Sequence, residues 1–316
     1  MSILESLRVA FRALAANKLR AALTMLGIII GVAAVITLMS AGEGVSVYIA
    51  EQFQAVGSNL LFVLPGSFDQ ASAGPPGARA ESGELTNGDV EALRDPLRAP
   101  DVVALSPQLF RSATVSTGQR NTVASVIGVT PDFARVRNWY PEAGNFISQE
   151  NMTSRARVAL LGQTVVKDLF PDNPYPVEQT IRINGIPFRV IGVLEKKGGS
   201  QFGDEDNTVL IPLSTAQTRI FPARSHSGEY RVSAILVEAS SKERMDAAAE
   251  QIAAILRERH GIDFQDEDDF SIISQADLIS IFGQITNVLT ICLLYTSDAA
   301  DDLLCVDLGG RCIIKK

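Results

Sequence analysis

Residues 21–42 read AALTMLGIIIGVAAVITLMSAG, a run of 22 residues without a charged side chain. At about 1.5 Å of rise per residue, a helix of this length spans roughly 33 Å, slightly more than the ~30 Å hydrocarbon core of a bilayer. A cleaved signal peptide is the alternative, but it would need a shorter apolar run nearer the N-terminus and a small-residue cleavage site. We therefore predict a transmembrane helix over residues 19–42.

Basic residues precede this run and acidic residues follow it. The basic side chains of the N-terminal segment are Arg8, Arg12, Lys18 and Arg20, and Glu43 and Glu51 come after the run. Because basic flanks are retained in the cytoplasm, we predict a cytoplasmic N-terminus and an extracytoplasmic chain beyond residue 42. Residues 1–18 show an amphipathic helical pattern, so they are predicted to lie against the lipid headgroups. A plain cytoplasmic extension of the span is the alternative.

Gly27 and Gly31 stand four residues apart within the apolar run. Small residues at this spacing lie on one face of a helix and allow a second helix to approach closely. Glycine is also common in membrane helices that have no such contact. The pair is therefore a candidate helix-packing site.

The composition and the absence of motifs exclude several functions. A formal net charge of −8 argues against a nucleic-acid surface. The three cysteines, Cys292, Cys305 and Cys312, all lie near the C-terminus, so the middle of the chain must be stable without disulfides. The sequence has no GxxxxGK phosphate loop and no HExxH, CxxC or GxSxG motif. We predict no catalytic, metal-binding or cofactor-binding residue in this chain.

Residues 43–275 have the mixed pattern of an α/β domain. Strands are predicted at residues 59–64, 102–105, 124–129, 157–161, 208–211, 232–237 and 270–273, and the Gly- and Pro-rich stretch 67–84 is predicted to be a loop. The strand–helix–strand succession at the end favours an open sheet with helices on one face. The predicted fold class is a membrane-anchored α+β protein, with an N-terminal transmembrane helix, a large mixed α/β periplasmic domain and the start of a second transmembrane helix.

The clearest local signal is a β-hairpin. Residues 180–183 and 186–193 flank Asn184-Gly185, a dipeptide preferred in two-residue turns. This register places Ile181 opposite Phe188 and gives the hairpin one apolar face.

Capping signals mark the helices. Ser240 and Glu243 predict a capping box for a helix over residues 241–259, with Gly261 at its C-terminal end. His260 lies where the helix dipole favours an imidazolium ion. Thr86 and Asp89 open a shorter helix, and another is predicted at residues 163–169.

Two features are candidate contacts for a partner protein. Trp139 and Tyr140 form an aromatic pair, and aromatic residues are enriched at protein interfaces. Packing in a core is the alternative. The loop that contains Gly199 and Phe202 is the second candidate, with an ordinary hairpin connection as its alternative.

A second apolar run begins near Leu278, so the start of another transmembrane helix is predicted at residues 276–294. Residues 295–316 do not continue this pattern. They resemble translated adapter sequence and are predicted to be a non-native tail, with a divergent native C-terminus as the alternative.

Several stretches, taken in order, resemble the MacB-type (macrolide exporter-like, FtsX-like) ABC transporter permease family. They are residues 19–31, GSNL at 57–60 with Pro65-Gly66, VIGVTPDF at 126–133, VRNW at 136–139, RVALLG at 157–162, PFRVIGV at 187–193, and the loop at 197–204. The similarity covers roughly residues 1–290 in the family's order.

The resemblance implies a four-helix permease of the bacterial inner membrane, with a periplasmic domain between its first two membrane helices. It also implies a homodimer or heterodimer of permeases, a cytoplasmic ABC ATPase chain that binds ATP and Mg²⁺, and a periplasmic adaptor. Relatives export drugs, peptides or lipoproteins. Because the family pattern stops near Ile291, the chain is predicted to be C-terminally truncated.

Two other classes of function stay open at this stage. A membrane-anchored periplasmic binding or scaffold module, such as a division-type regulator of cell-wall hydrolases, would need no transport activity. A periplasmic enzyme would need a clustered catalytic set that the sequence does not offer.

Overall fold

The computed structural model describes residues 59–66, 83–118, 120–200, 203–263 and 265–274, together with separate positions between 18 and 44 and at 277 and 280. The chain divides into one unit of Glu51–Leu278 and another of Met1–Ala50 with Ile279–Lys316. The described positions between 18 and 44 are helical. Among the described residues, no helix is both long and apolar enough to cross a bilayer. The two predicted spans therefore stay predictions.

The body of the protein is a mixed α/β domain, as predicted. Its strands are β1 (Leu60–Pro65), β2 (Val102–Thr117), β3 (Arg120–Val129), β4 (Pro141–Gly144), β5 (Val158–Leu161), β6 (Thr180–Ile183), β7 (Ile186–Leu194), β8 (Gly199–Ser200), β9 (Gly203–Asp204), β10 (Thr208–Pro212), β11 (Ala234–Ala239) and β12 (Phe270–Ser274). Its helices are α1 (Asn87–Leu93), α2 (Phe133–Val136), α3 (Gln149–Thr153), α4 (Gln163–Leu169), α5 (Leu213–Thr215) and α6 (Met245–His260). A π-helical turn, Ala216–Ile220, follows α5, and a 3₁₀ turn, Lys242–Arg244, precedes α6.

Half of the body is an antiparallel sheet in the order β12-β1-β11-β2, with α1 and α6 packed on one face. Alternate side chains of β1 and β11 point towards α6, whose apolar residues recur at helical spacing. This shared core contains Leu61, Val63, Ile235, Val237, Ile252 and Leu256, all nearly inaccessible to solvent. The open-sheet prediction is confirmed for this half of the body.

The other half differs from the predicted open sheet, because six of the described strands close into a ring. Neighbouring strands pair in the order β2-β3-β10-β5-β7-β6, and β6 pairs back onto β2 through Val115 opposite Ile183. Closure pairs the strand edges that an open sheet would leave free. Fully buried side chains fill the interior, among them Val115, Val126, Ile181, Ile183, Val190 and Val209.

Strand β2 belongs to both halves. Its first part pairs with β11, from Val102 opposite Ala239 to Gln108 opposite Ala234, and its second part pairs with β3. The sequence predicted a strand of only four residues here, at 102–105. The strand nevertheless runs for 16 residues, so one continuous backbone joins the sheet to the ring.

The hairpin and its register are confirmed, and its second strand runs one residue further than predicted, to Leu194. Thr180–Ile183 pairs with β7 so that Ile181 lies opposite Phe188, and both side chains are buried. The turn residues Asn184 and Gly185 have φ of 48° and 83°, the left-handed values that a two-residue turn of this type requires.

Both ends of the last helix were predicted, and one prediction was wrong. Gly261 ends α6 with φ of 68°, as expected for a glycine after a helix. Ser240 forms no capping box, because its hydroxyl donates a hydrogen bond to the carboxylate of Asp101. The 3₁₀ turn begins after Ser241 instead, and α6 begins only at Met245. A buried carboxylate without hydrogen-bond donors is energetically unfavourable, so the Ser240 hydroxyl donates to Asp101 rather than capping the helix.

Candidate functional site

The body receives the chain and releases it at one end of the four-stranded sheet. Strand β1 begins and β12 ends there, and the two strands pair antiparallel with Leu61 opposite Ser274. Paired residues of antiparallel strands lie only about 4.5–5.5 Å apart. We call this the attachment end of the sheet, because both connections to the rest of the chain leave from it.

A buried carboxylate holds the start of the last helix at the attachment end. Asp101 is 6% exposed and accepts two hydrogen bonds from Arg244, at 2.9 and 3.0 Å, and one from the Gln251 amide at 2.7 Å. The Arg244 and Gln251 hydrogen bonds lower the pKa of Asp101. We call Asp101, Ser240, Arg244 and Gln251 the attachment cluster. It joins β2, the segment after β11, and α6.

A second buried carboxylate lies at the opposite end of α6. Asp89 is 2% exposed, and Arg259 Nε donates to it at 2.6 Å. His260 lies between two carboxylates, with Nε2 3.5 Å from Asp89 and Nδ1 2.7 Å from Asp269. The Thr86 backbone N–H also donates to Asp89, as the predicted helix cap requires. We call these five residues the distal cluster.

The two carboxylate neighbours control the charge of His260. The hydrogen bond with Asp89, assisted by Asp269 and opposed by burial, raises the pKa of His260 to about 9. Burial alone would raise the pKa of Asp89, but hydrogen bonds from His260 and Arg259 lower it well below its usual range. The histidine is therefore an imidazolium ion at neutral pH. The sequence predicted that charge from the helix dipole, but the carboxylates are the stronger cause.

The predicted aromatic pair is split between the interior and the surface. Trp139 is 2% exposed, and its indole N–H donates to the Glu195 carbonyl oxygen at 2.9 Å. Its ring lies near Phe133, with 6.4 Å between the ring centroids. Tyr140 is 48% exposed. Core packing thus accounts for Trp139, and partner contact stays a prediction that only Tyr140 has the surface to make.

The predicted partner loop begins at a well-anchored base. The Asp206 carboxylate accepts the backbone N–H groups of Lys197 and Gly198, at 2.9 and 3.1 Å. Burial and the nearby Arg137 charge lower the pKa of Lys197, whose ammonium donates to the Arg137 carbonyl oxygen. Gly199 lies in β8, which pairs with β9. Phe202 is outside the described residues.

The predicted N-terminal contacts are only partly within the described residues. Lys18, Gly27 and Gly31 are helical, and a Cβ added at either glycine would meet no atom within 4 Å. Arg8, Arg12 and Arg20 lie outside the described residues, so their contact with lipid stays a prediction. Within the described part of the chain, no group of three or more His, Cys, Asp or Glu side chains is arranged to hold a metal ion.

The geometry brings together residues that sequence spacing could not connect. Asp101 and Arg244 are 143 positions apart, and Asp89 and Arg259 are 170 apart. The sequence identified Asp89 only as the partner of Thr86 in a helix cap, and it gave no indication of a role for Asp101. A covarying pair in an alignment is the kind of signal that would reveal such contacts.

Comparison with solved structures defines the class of fold. The periplasmic region of MacB from Actinobacillus actinomycetemcomitans superposes with a TM-score of 0.58 at 20% identity, covering 74% of this chain and 97% of that one. The extracellular domain of the ABC-type transporter YknZ from Gram-positive bacteria gives a TM-score of 0.52 at 16% identity, covering 68% of this chain and all of that one. The body therefore has the fold of the extracytoplasmic domain of these transporters.

Sequence comparison gives the family. Residues 21–255 match the model of the MacB-like periplasmic core domain, and the chain belongs to this family. The macrolide export ATP-binding/permease protein MacB of Azoarcus sp. (strain BH72) is 34% identical over 292 residues, which is 92% of this chain and 41% of that protein. MacB of Marinobacter nauticus is 35% identical over 306 residues, 96% of this chain and 44% of that protein. The chain thus spans less than half the length of these curated relatives.

Proposed function

We propose that this chain is a permease subunit of an ABC transporter in the bacterial inner membrane. In this proposal residues 21–42 cross the membrane, the α/β body lies in the periplasm, and a second membrane helix begins near residue 276. ATP hydrolysis on a separate cytoplasmic ATPase would then drive a conformational change in the periplasm. The exported class is drugs, peptides or lipoproteins.

The observation that carries this proposal is the pairing of β1 with β12. A domain inserted between two membrane helices must receive and release the chain at one end. Strand β1 begins only 17 residues after the apolar run, and β12 ends just before the second one. Because Leu61 lies opposite Ser274, both connections leave from the attachment end. The register thus fits a domain held above a membrane by two helices.

The apolar run itself supports membrane insertion. Its described positions are helical, and their large apolar side chains are exposed rather than packed in a core. Leu23, Ile29 and Ile36, for example, are 58%, 63% and 59% exposed. Exposed apolar surface of this extent is unfavourable in water and favourable in lipid.

The body is built to move as one piece when a membrane helix is displaced. Helix α6 packs on both β1 and β12, and the two carboxylate clusters hold its two ends. A shift at the attachment end would therefore be passed to the sheet, and through the continuous strand β2 to the ring. This supports a mechanical role in the periplasm, with catalysis on the ATPase.

The partners follow from the same proposal. They are a cytoplasmic ABC ATPase that binds ATP and Mg²⁺, a second permease of the same or a related kind, membrane lipid and a periplasmic adaptor. The relatives are named ATP-binding/permease proteins, so their names combine ATP binding with a permease. In this proposal the present chain supplies only the permease.

Cysteine labelling in intact cells tests the topology. Cys292, Cys305 and Cys312 are first replaced by serine, and single cysteines are then introduced at Ser2 and at the exposed Asp172. A membrane-impermeant maleimide is expected to label Asp172→Cys in intact cells and Ser2→Cys only after the membrane is opened. Labelling of Ser2→Cys but not Asp172→Cys in intact cells would reverse the orientation and end the proposal.

Purification from native membranes separates the permease from a scaffold. The natural gene product, tagged at its N-terminus, is extracted with mild detergent, and its partners are identified by mass spectrometry. We expect an ABC ATPase in stoichiometric amount. Recovery of a cell-wall hydrolase with no ATPase would favour the membrane-anchored scaffold module instead.

A further inference from the structure

A cleft opens on the face of the sheet opposite α1 and α6, where the sheet meets the ring. Its volume is about 360 Å³, within the range of about 300–1,000 Å³ that is usual for small-molecule sites. Strands β1, β2, β3, β10 and β11 form its floor, and residues after α2 and around β9 form one wall. Its apolar lining includes Phe62, Leu64, Phe110 and Ile127, with the nearly buried rings of Phe133 and Trp139 at the edge of the cleft.

The floor of this cleft contains polar side chains that the protein leaves unpaired. Gln108 is 8% exposed and Thr208 is 4% exposed, and both line the cleft. Within the described residues, neither side chain has a hydrogen-bond partner, and the same holds for the hydroxyl of the half-buried Ser125 beside them. Because these side chains are largely buried and their polar atoms face the cleft without a protein partner, they are available to hydrogen-bond a ligand there.

The charges at the rim disfavour an anionic ligand. Arg137 lines the cleft, but its guanidinium is already paired with Glu205 at 3.2 Å. Asp204 adds a second carboxylate to the same rim. An anion would therefore meet two carboxylates and a cation that is already neutralised. The unpaired carboxamide and hydroxyl groups instead suit neutral donors and acceptors.

We propose that this cleft binds an uncharged amphipathic molecule, with rings against the aromatic wall and a neutral polar group on Gln108 and Thr208. The accessible side chains of Phe62, Leu64, Phe110 and Ile127 supply the apolar contact area, and the Gln108 amide and the Thr208 hydroxyl fix the orientation of the ligand. Nothing in this site depends on ATP, a metal ion or a second chain.

Trp139 allows a direct test, because it is the only tryptophan in the chain and it lines the cleft. The full 316-residue chain in lipid nanodiscs is titrated with N-phenyl-1-naphthylamine or with its 8-sulfonate, which has the same rings and a negative charge. Energy transfer from Trp139 distinguishes probe bound beside it from probe dissolved in the lipid. We expect saturable transfer with the uncharged probe. We expect the sulfonate to bind at least about tenfold more weakly, because burial of an anion without a free cation is unfavourable.

Matched variants locate the binding. Gln108→Leu keeps the side-chain size but removes the hydrogen-bonding amide, and it should weaken binding of the uncharged probe about fivefold. Phe110→Ala removes apolar wall and should weaken binding about tenfold. Gln179→Leu makes the same change as the first variant at an exposed position outside the cleft, and it should have no effect.

Three outcomes would overturn the proposal. They are transfer that does not saturate, tighter binding of the sulfonate, and equal weakening by Gln108→Leu and Gln179→Leu. Circular dichroism of each variant confirms that a loss of binding is not a loss of fold. Since the assay contains no ATPase, its failure would remove the ligand site and leave the proposed transporter role in place.

Discussion

A buried carboxylate holds each end of α6, but the side chains that pair with the carboxylate differ between the two ends. At the attachment end, Asp101 is paired with Arg244 and the neutral amide of Gln251. At the distal end, Asp89 is paired with Arg259 and the ionisable imidazole of His260. Only the distal cluster therefore contains a histidine, whose charge is lost as the pH rises through about 9.

The partners also differ in their access to water. The side chain of Arg244 is 60% exposed, whereas those of Arg259 and His260 are 33% and 10% exposed. A cation that reaches water is solvated when its carboxylate partner is lost, but a buried cation is not. We infer that the distal cluster contributes more to stability, and that the attachment cluster is the end that can be altered at lower cost.

Removing the distal carboxylate should have the largest effect. Asp89→Asn leaves Arg259 and His260 without their main counter-charge, so we expect the free energy of unfolding to fall by about 3 kcal/mol. Urea denaturation followed by the fluorescence of Trp139, which is buried and unique, measures this change. Asp172→Asn makes the same change at an exposed position and should be neutral. A loss below about 1 kcal/mol for Asp89→Asn would contradict the ranking.

The pH dependence should be the next largest effect, and it belongs to the distal end alone. The pKa of His260 is raised from 6.5 to about 9, so its stabilising contribution is complete below pH 6.5 and is lost as the pH rises through about 9. The full shift would correspond to about 3.4 kcal/mol, and because water partly screens the cluster we expect a loss of about 2 kcal/mol across this interval, measured as urea midpoints at each pH. Asp89→Asn should flatten the curve. A wild-type curve that is level from pH 6.5 to 9.5 would show that the imidazole does not contribute.

Removing the attachment carboxylate should have the smallest effect of the three. Asp101→Asn weakens the contact with Arg244, but that guanidinium is more than half exposed and can be solvated by water. We expect a urea midpoint between those of the wild type and Asp89→Asn. If Asp101→Asn and Asp89→Asn lowered the urea midpoint equally, the two clusters would contribute equally to stability. Solvent access of the cation would then not determine the cost of losing its carboxylate.

The elements that sequence predicted best are those whose determinants are close together in the chain. The hairpin around Asn184-Gly185 was predicted in its correct register, and the helix Gln163–Leu169 was predicted with its correct bounds. A two-residue turn requires positive φ at adjacent residues, and Asn and Gly satisfy this with little strain. The glycine at the end of α6 was predicted for the same local reason.

The errors occurred where distant residues compete for a local signal. Ser240 has the sequence pattern of a capping residue, but the buried Asp101 attracts its hydroxyl. The strand predicted at residues 102–105 stopped before Ser106-Pro107, yet pairing with β11 continues strand β2 through both residues. Asp101 is far from Ser240 in sequence, and β11 is far from β2, so no local sequence pattern could predict these contacts.

The sequence alone determined the local elements and the family resemblance, because helix caps, turns and apolar periodicity depend on residues within a few positions of one another. Only the tertiary structure decided the closed ring, the two carboxylate clusters and the cleft that Gln108 and Trp139 line. Each of these depends on groups 60 or more positions apart that pairing brings together, such as Val115 with Ile183 and Asp101 with Arg244. Burial then sets the charge of the two clusters and the surroundings of the cleft side chains, and burial is a property of the folded chain.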